Sequence, residues 1–488
     1  MTDAEFQAWL ESPSAIRCAL VEVVANISGV ETTLYLSNRG YVTGPAETPA
    51  NKVYMPYLIG GVSFTESLSL EGSPSIGWGD LELKNADGSL DGYLDYVWAG
   101  RAVNVYLGDM SWPRADFQLI FTGLVDDLSS RSRDTLNIKI RDKLDKLNVS
   151  MTETLLGGST SNKDKLLPLC FGECHNITPL LVDPATLEYQ VHNGAIEDII
   201  EVRDNGVPVT VTKYLATGKF RLTASPVGEV TCSVQGAKPG GTYSNQIATL
   251  VQHIVTTYGN DPLVSGDIDS ASFTAFASAN TQPVGLYLDS KTNVIAACNQ
   301  LASSVGGQLV MSRLGQLRLL KVDLPASGTT TYATSSDMVE RSLSISDSPK
   351  VVAAVKLAYC KNWTPQSSIQ SGIPAEHLTL FAKEWLETQS TDNTVATTYK
   401  LSKEVEAEET LLLVEAHATA ECTRRLNLRK VQRRVFKYTA PANKLSLLLG
   451  APHQITHSRF GLSGGRTGQI VKLSSDWLKG RVDVEVYI

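Results

Sequence analysis

Gly461-Leu462-Ser463-Gly464-Gly465 carries the G-x-S-x-G pattern of a nucleophile elbow, which needs a strand before the serine, a helix after it, and an acid and a histidine later in the chain. The last histidine, His457, lies upstream, and residues 469–473 read as strand, so the pattern reads as a glycine hairpin. The overlapping Leu462-Ser463-Gly464-Gly465-Arg466 imitates the signature peptide of ATP-binding cassettes, but no G-x-x-x-x-G-K-[ST] loop is present to cradle phosphates. Cys170-Phe171-Gly172-Glu173-Cys174-His175 is the one dense set of soft ligands. Cys170, Cys174 and His175 are therefore weak candidates for a zinc or iron–sulfur site, against the alternative of buried free thiols; the C-x3-C spacing is loose and no fourth ligand is evident. Asn85, Asp87, Ser89 and Asp91 resemble a calcium loop, yet Gly88 stands fourth and Tyr96 occupies the position of the bidentate Glu, which favours a tight turn. The carboxylate pairs Asp126–Asp127 and Glu406, Glu408 and Glu409 lack the apolar surroundings that general acid–base work requires. No catalytic residue is assigned, and no cofactor.

The strongest charge run is Arg424, Arg425, Arg429, Lys430, Arg433, Arg434 and Lys437, spanning an expected helix end and the next strand. It reads either as a solvated face with helix C-terminal charges or as a contact surface for an acidic partner or passing DNA.

The elements that must position these groups are mostly strands. Residues 15–24, 32–36, 62–70, 80–84, 102–107, 117–124 and 135–141 are rich in Val, Ile, Leu or aromatics and separated by turn residues, as in an antiparallel barrel or sandwich. Asn38-Arg39-Gly40 suits a hairpin turn. Residues 150–162 read as a linker into a small β-rich unit, with strands at 199–202 and 209–211 about an Asp204-Asn205-Gly206 turn. The period then changes to helical: Ile247, Leu250, Val251, Ile254, Val255 and Tyr258 form a stripe stopped by Gly259, and a second helix is expected from Asp289 or Ser290 to Gly306. A hairpin follows at 308–312 and 316–322; residues 325–336 read as a linker; one helix, at 413–428 through Ala416, Ala420, Thr423 and Leu426, interrupts the closing strands. The expected domains are 1–150 (β), 151–241 (small β), 242–330 (α+β) and 331–488 (β with one helix). The fold class is mainly β with a small α+β unit.

Four hundred and eighty-eight residues, 42% hydrophobic and 19% charged, describe a multidomain globular chain. A net charge of -8 excludes dedicated nucleic-acid recognition of the usual basic kind. No run approaches the length of a transmembrane helix, the acidic N-terminus is unlike a signal peptide, and seven scattered cysteines suit a reducing compartment, so synthesis in a cytoplasm is expected.

Tyr35-Leu36-Ser37-Asn38-Arg39-Gly40-Tyr41, Leu83-Lys84-Asn85-Ala86-Asp87-Gly88-Ser89-Leu90-Asp91, Trp98-Ala99-Gly100-Arg101 and Ile120-Phe121-Thr122-Gly123 together resemble the N-terminal region of tail-hub or tail-tip proteins of tailed phages. Gly464-Gly465-Arg466-Thr467-Gly468-Gln469-Ile470-Val471 and Arg481-Val482-Asp483-Val484-Glu485-Val486 look like the closing strands of the same hubs, and the order of the four parts agrees. The resemblance implies a structural virion protein at the tail tip or baseplate, assembled in the host cytoplasm. It implies a homotrimer whose first and last β domains are tube-like barrels, so that three chains continue a sixfold tube into a threefold tip. The implied partners are the distal tail ring, the tape measure protein, a central fibre or spike with its receptor-binding proteins, and genome DNA passing through the lumen during ejection. On this reading Arg424, Arg425, Arg429, Lys430, Arg433 and Arg434 are subunit-contact candidates facing a protein neighbour. The runners-up are a distal tail ring protein and a tail-associated cell-wall hydrolase.

Overall fold

The computed structural model describes residues 1–12, 14–70, 77–323, 330–346, 349–370 and 372–488. The chain is mostly strand and forms two compact units, each drawn from separated stretches. The first comprises Met1–Lys146, Leu309–Pro349 and Arg433–Ile488; the second comprises Leu147–Gln308 and Lys350–Gln432.

The first unit is organised by a 13-stranded sheet. Its main path runs Val30–Ser37, Arg17–Ile27, Ala102–Asp109, Gln118–Ser129, Thr135–Arg141, Trp78–Lys84, Leu58–Ser67, Arg466–Asp476, Arg481–Tyr487, Val435–Pro441 and Ser344–Ser346. Alternation of side chains explains the pattern. Gly79, Leu81 and Leu83 point one way from their strand and are buried, as are Val482, Val484 and Val486 from theirs, while the residues between them are partly or fully exposed. Phe64 stacks on Phe121 with ring centroids 4.1 Å apart, tying two non-adjacent strands together through the core.

The second unit has a five-stranded sheet in the order Val207–Val209, Ile196–Asp204, Val230–Ala237, Leu169–Ile177 and Gly285–Leu288. Beside it are a four-stranded sheet within 180–222 and a three-stranded one of Leu386–Thr391, Ala354–Tyr359 and Ala407–Glu409. Helix Ile247–Thr257 buries the expected stripe of Ile247, Leu250, Val251, Ile254 and Val255 and ends before Gly259, which takes a positive φ of 94°. Asn205 and Gly206 both have positive φ, the geometry of the expected two-residue hairpin turn.

Several expectations are corrected. The hairpin of Arg17–Ile27 with Val30–Ser37 turns at Ser28-Gly29, and residues 38–40 lead out of Val30–Ser37 to the short strand Tyr41–Val42, which pairs with Val53–Tyr54. A helix at Ser270–Ala279 went unread because it is Ser- and Ala-rich and buries only Phe273 and Phe276; Asp269 caps it by accepting from the Ser272 N–H. The next helix begins at Val294, not near 289, because Asn293 supplies the cap to the Ile295 N–H. Of the 325–336 linker, 325–329 lie outside the described residues, whereas Thr331–Ala333 is a strand paired in parallel with Pro452–Ile455. Among the described residues of 331–488 there are three α-helices where one is expected, Ala375–Ala382, Asn393–Tyr399 and Glu415–Arg429.

Candidate functional site

The feature that sets the first unit apart is a seam. Strand Leu58–Ser67 pairs antiparallel with Arg466–Asp476, in the register Ser63↔Asp476 to Ser67↔Lys472, so segments some four hundred residues apart share one sheet. Thr65 and Ser474 hydroxyls lie 3.0 Å apart across it. Trp477 is buried beside the seam, its backbone N–H donating to the Val62 carbonyl and its indole N–H to Ser475 Oγ.

Arg313 closes the seam from a third stretch of chain. It stands in the turn between Gly307–Met311 and Leu317–Lys321, and its guanidinium lies 4.8 Å from the Trp477 ring. Its N–H donates to Glu66 Oε1 at 2.6 Å, its carbonyl accepts from the Thr122 N–H at 2.9 Å, and Nη1 donates to the Ile120 carbonyl. Burial pushes the Glu66 carboxyl above the ordinary range, a rise that the nearby Arg313 charge limits. Sequence reading saw Arg313 only as a turn residue. A bulky cation before Leu-Gly in a two-strand hairpin is the one signal, and it does not say what the arginine touches.

Of the soft-ligand candidates, Cys170 and Cys174 lie side by side and His175 stands apart from them. Cys170 and Cys174 are buried in the apolar core with Ile177, Val191, Val202, Phe220 and Cys232. His175 points instead toward partly exposed surface, with Nε2 3.4 Å from Glu173 Oε1. Burial drives the Cys174 thiol well above its ordinary range, which disfavours the thiolate that a metal would need. No group of three or more His, Cys, Asp or Glu able to hold a metal ion occurs among the described residues.

The arginine run divides. On helix Glu415–Arg429, buried Glu421 receives Arg424 Nε at 2.7 Å and Arg425 Nε at 2.8 Å. Glu408 receives Arg425 Nη1 at 2.6 Å and Arg429 Nη2 at 2.5 Å, so its carboxyl is held below the ordinary range despite burial. Arg425 also donates to the Ser303 carbonyl at the end of helix Val294–Ser303. Lys430 lies 3.4 Å from Asp392. Arg433 and Arg434 belong to the first unit, where Arg433 is half-buried and Arg434 exposed.

Ser463 is exposed in the loop joining antiparallel strands Pro452–Ile455 and Arg466–Asp476, as the hairpin reading expects. The Leu90 N–H donates to Asn85 Oδ1 and Asn85 Nδ2 to Asp91 Oδ1, both at 2.8 Å, and Asp87 Oδ1 accepts from the Ser89 N–H and hydroxyl, so these side chains close a tight turn. No helix among the described residues is long and apolar enough to cross a membrane.

Fold and seam together define a mainly β chain whose two ends build one sheet. No family model matches the chain, and no curated protein matches it. Among solved structures it is similar to the tail protein from Neisseria meningitidis MC58, at 10% identity over 97% of each chain with a TM-score of 0.37. It is similar to the 43 kDa tail protein of prophage MuSo2 from Shewanella oneidensis, at 13% identity over 96% of this chain and 98% of that one, TM-score 0.39. It is also similar to a chain of the native gene transfer agent virion, at 14% identity over 68% of this chain and 87% of that one, TM-score 0.47.

Proposed function

We propose that this chain is a structural tail-tip or baseplate hub of a long-tailed phage or related particle, residing in the virion tail and performing no catalysis. The observation that carries the reading is the seam: each end of the chain contributes a lobe to one sheet, and the lobes are locked edge to edge. Three copies of a two-lobed sheet present six similar walls, the number a sixfold tube requires from a threefold tip. The first half of edge strand Val30–Ser37, whose Val30 is 65% exposed, offers backbone for strand addition between copies, while Tyr35 and Ser37 already bond Met55. The sequence resemblance described above points the same way.

On this reading the hub is a homotrimer that meets the distal tail ring on one side and a fibre or spike on the other, holds the end of the tape measure protein, and lets DNA through. A charge of -8 per chain, or -24 for three copies, suits a bore that does not trap phosphate backbone. Of the six contact candidates, exposed Arg434 is the one proposed to reach a neighbour directly; Arg424, Arg425 and Arg429 are engaged with Glu421 and Glu408 inside the second unit. The four consecutive segments ending at 150, 241, 330 and 488 stand as a proposal for the order of parts along the chain. Mass measurement of the assembled protein tests the reading: three copies are expected, and six would favour a distal ring protein. Wall-degrading activity lost on Ser463→Ala would revive the hydrolase.

A further inference from the structure

The second unit holds a cavity of about 350 Å³, between strands Ile196–Asp204 and Val230–Ala237 and residues 360–386. Ile200, Leu380, Phe381, Trp385 and Leu386 give it apolar walls. Its permanent charges are the Arg203 guanidinium and the Lys383 ammonium against the carboxylate of Glu201, with the imidazoles of His175 and His377 on the same lining. Glu201 is already engaged with Arg203, whose guanidinium lies 4.5 Å from the Phe381 ring. Lys361, 4.9 Å from the Trp385 ring, is paired with Glu384 Oε1 at 3.7 Å, whereas Lys383 carries no ion pair among the described residues.

The wall formed by helix Ala375–Ala382 is unusual in burying none of its side chains, with Leu378 39% and Leu380 46% exposed. Backbone contacts hold it in place: the Phe381 carbonyl accepts from Asn362 Nδ2 at 2.9 Å and from the Gln366 N–H at 2.7 Å. The lining amides are engaged, Asn176 Nδ2 donating to Asn362 Oδ1 and to the Thr364 carbonyl. Recognition is therefore left to apolar contact and positive charge.

We propose that this cavity binds a small aromatic or aliphatic carboxylate, its apolar body against Phe381, Trp385 and Leu386 and its anion toward Lys383 and Arg203. The volume fits a free small molecule, near the lower end of the roughly 300–1,000 Å³ typical of such sites. An apolar group alone would leave the cationic rim unused, and a simple anion alone would leave the walls wet. The site lies within one unit and does not depend on the hub reading.

The test is calorimetric titration of the full-length protein with 2-naphthoate and, separately, with the neutral 2-naphthalenemethanol. Saturable 1:1 binding of the carboxylate is expected, with the alcohol weaker by about tenfold, the value of one charge-assisted contact. Lys383→Gln should weaken 2-naphthoate by a similar factor. Ile200→Trp, which fills the mouth from an exposed position, should abolish binding, while Val227→Trp, exposed elsewhere in the same unit, should not. Equal binding of acid and alcohol, binding that survives Ile200→Trp in a folded variant, or no saturable binding of 2-naphthoate would each overturn the proposal.

Discussion

Glu421 shows how little of a buried charge's role is visible in its neighbours along the chain. It is 5% exposed on a helix and accepts from two successive arginines, so removing it would leave Arg425 buried beside only Glu408. Glu421→Ala is expected to destabilise the second unit by about 3–5 kcal/mol, the usual result of breaking a buried pair from one side. Replacing Glu421 and Arg425 together by Leu and Met should restore part of that loss, which denaturant titration of the three variants would reveal. The sequence disclosed the arginine run but not its partners, because Glu408 comes from a strand and Glu421 looks like an exposed helix residue. The Ala416, Ala420 and Thr423 positions that marked the helix are in fact exposed, and Ala418, Glu421, Cys422 and Leu426 face inward.

His453 carries a different kind of signature. It is fully buried, with Nε2 2.6 Å from Tyr438 Oη and Nδ1 2.6 Å from Thr331 Oγ1, and burial lowers its pKa from 6.5 to about 4. Between pH 6.5 and 4 an unfolded chain takes up a proton that the folded one refuses. The stability tied to this neutral imidazole is therefore complete above pH 6.5 and lost as the pH falls toward 4, by up to about 3 kcal/mol. His453→Gln, which keeps a donor and an acceptor without titrating, should cost most at neutral pH, and its melting temperature should converge on the wild-type value as the pH is lowered from 7 to 4. A gap that stays constant over that range would show that the imidazole does not stay neutral in the fold.

At the scale of elements, strand Leu169–Ile177 explains the C-x3-C spacing without a ligand. Gly172 sits at its middle with φ of 67°, and a Cβ there would come 2.0 Å from the Val284 carbonyl oxygen. The strand thus bends between its two cysteines so that its backbone can pair closely with Gly285–Leu288. Gly172→Ala combines a left-handed backbone with a backbone clash, and a loss of at least about 2 kcal/mol in the second unit is expected, measurable as a fall in unfolding midpoint. A glycine amid Leu169, Cys170 and Phe171 was the legible sign of close approach, and the cysteines on either side of it are buried in the apolar core. The strands of the first unit were easier, because alternation repeats in each one. Residues 135–141 were placed at both ends, and 80–84 and 102–107 fell within two residues of Trp78–Lys84 and Ala102–Asp109. Short polar helices such as Ser270–Ala279 were not, since two phenylalanines make too weak a stripe to rise above the turn-like composition around them.

For the molecule as a whole, the decisive property is that the first unit cannot be completed until the last residues are present. Its sheet takes four segments from 433–488: Val435–Pro441, Pro452–Ile455, Arg466–Asp476 and Arg481–Tyr487. Without them, strand Leu58–Ser67 exposes a long unpaired edge, and the ring that Arg313 covers is gone with Trp477. The second unit is drawn entirely from 147–308 and 350–432 and loses none of its own strands. A chain ending at residue 432 is therefore expected to keep a folded second unit beside an open first one. Limited proteolysis with mass spectrometry should then find cuts throughout 1–146 and within 309–349, with 147–308 and 350–432 protected, whereas the full-length chain resists in all of these stretches. Sequence alone could not foretell this dependence, because periodicity identifies strands but not which distant strand will lie beside them; in the seam Phe64 and Ser475 pair on the buried side while Ser63, Thr65, Ser474 and Asp476 stay partly exposed. Equal protection of 1–146 in the truncated and complete chains would show that the N-terminal lobe stands alone, and the argument from a shared sheet to a two-lobed tube wall would lose its footing.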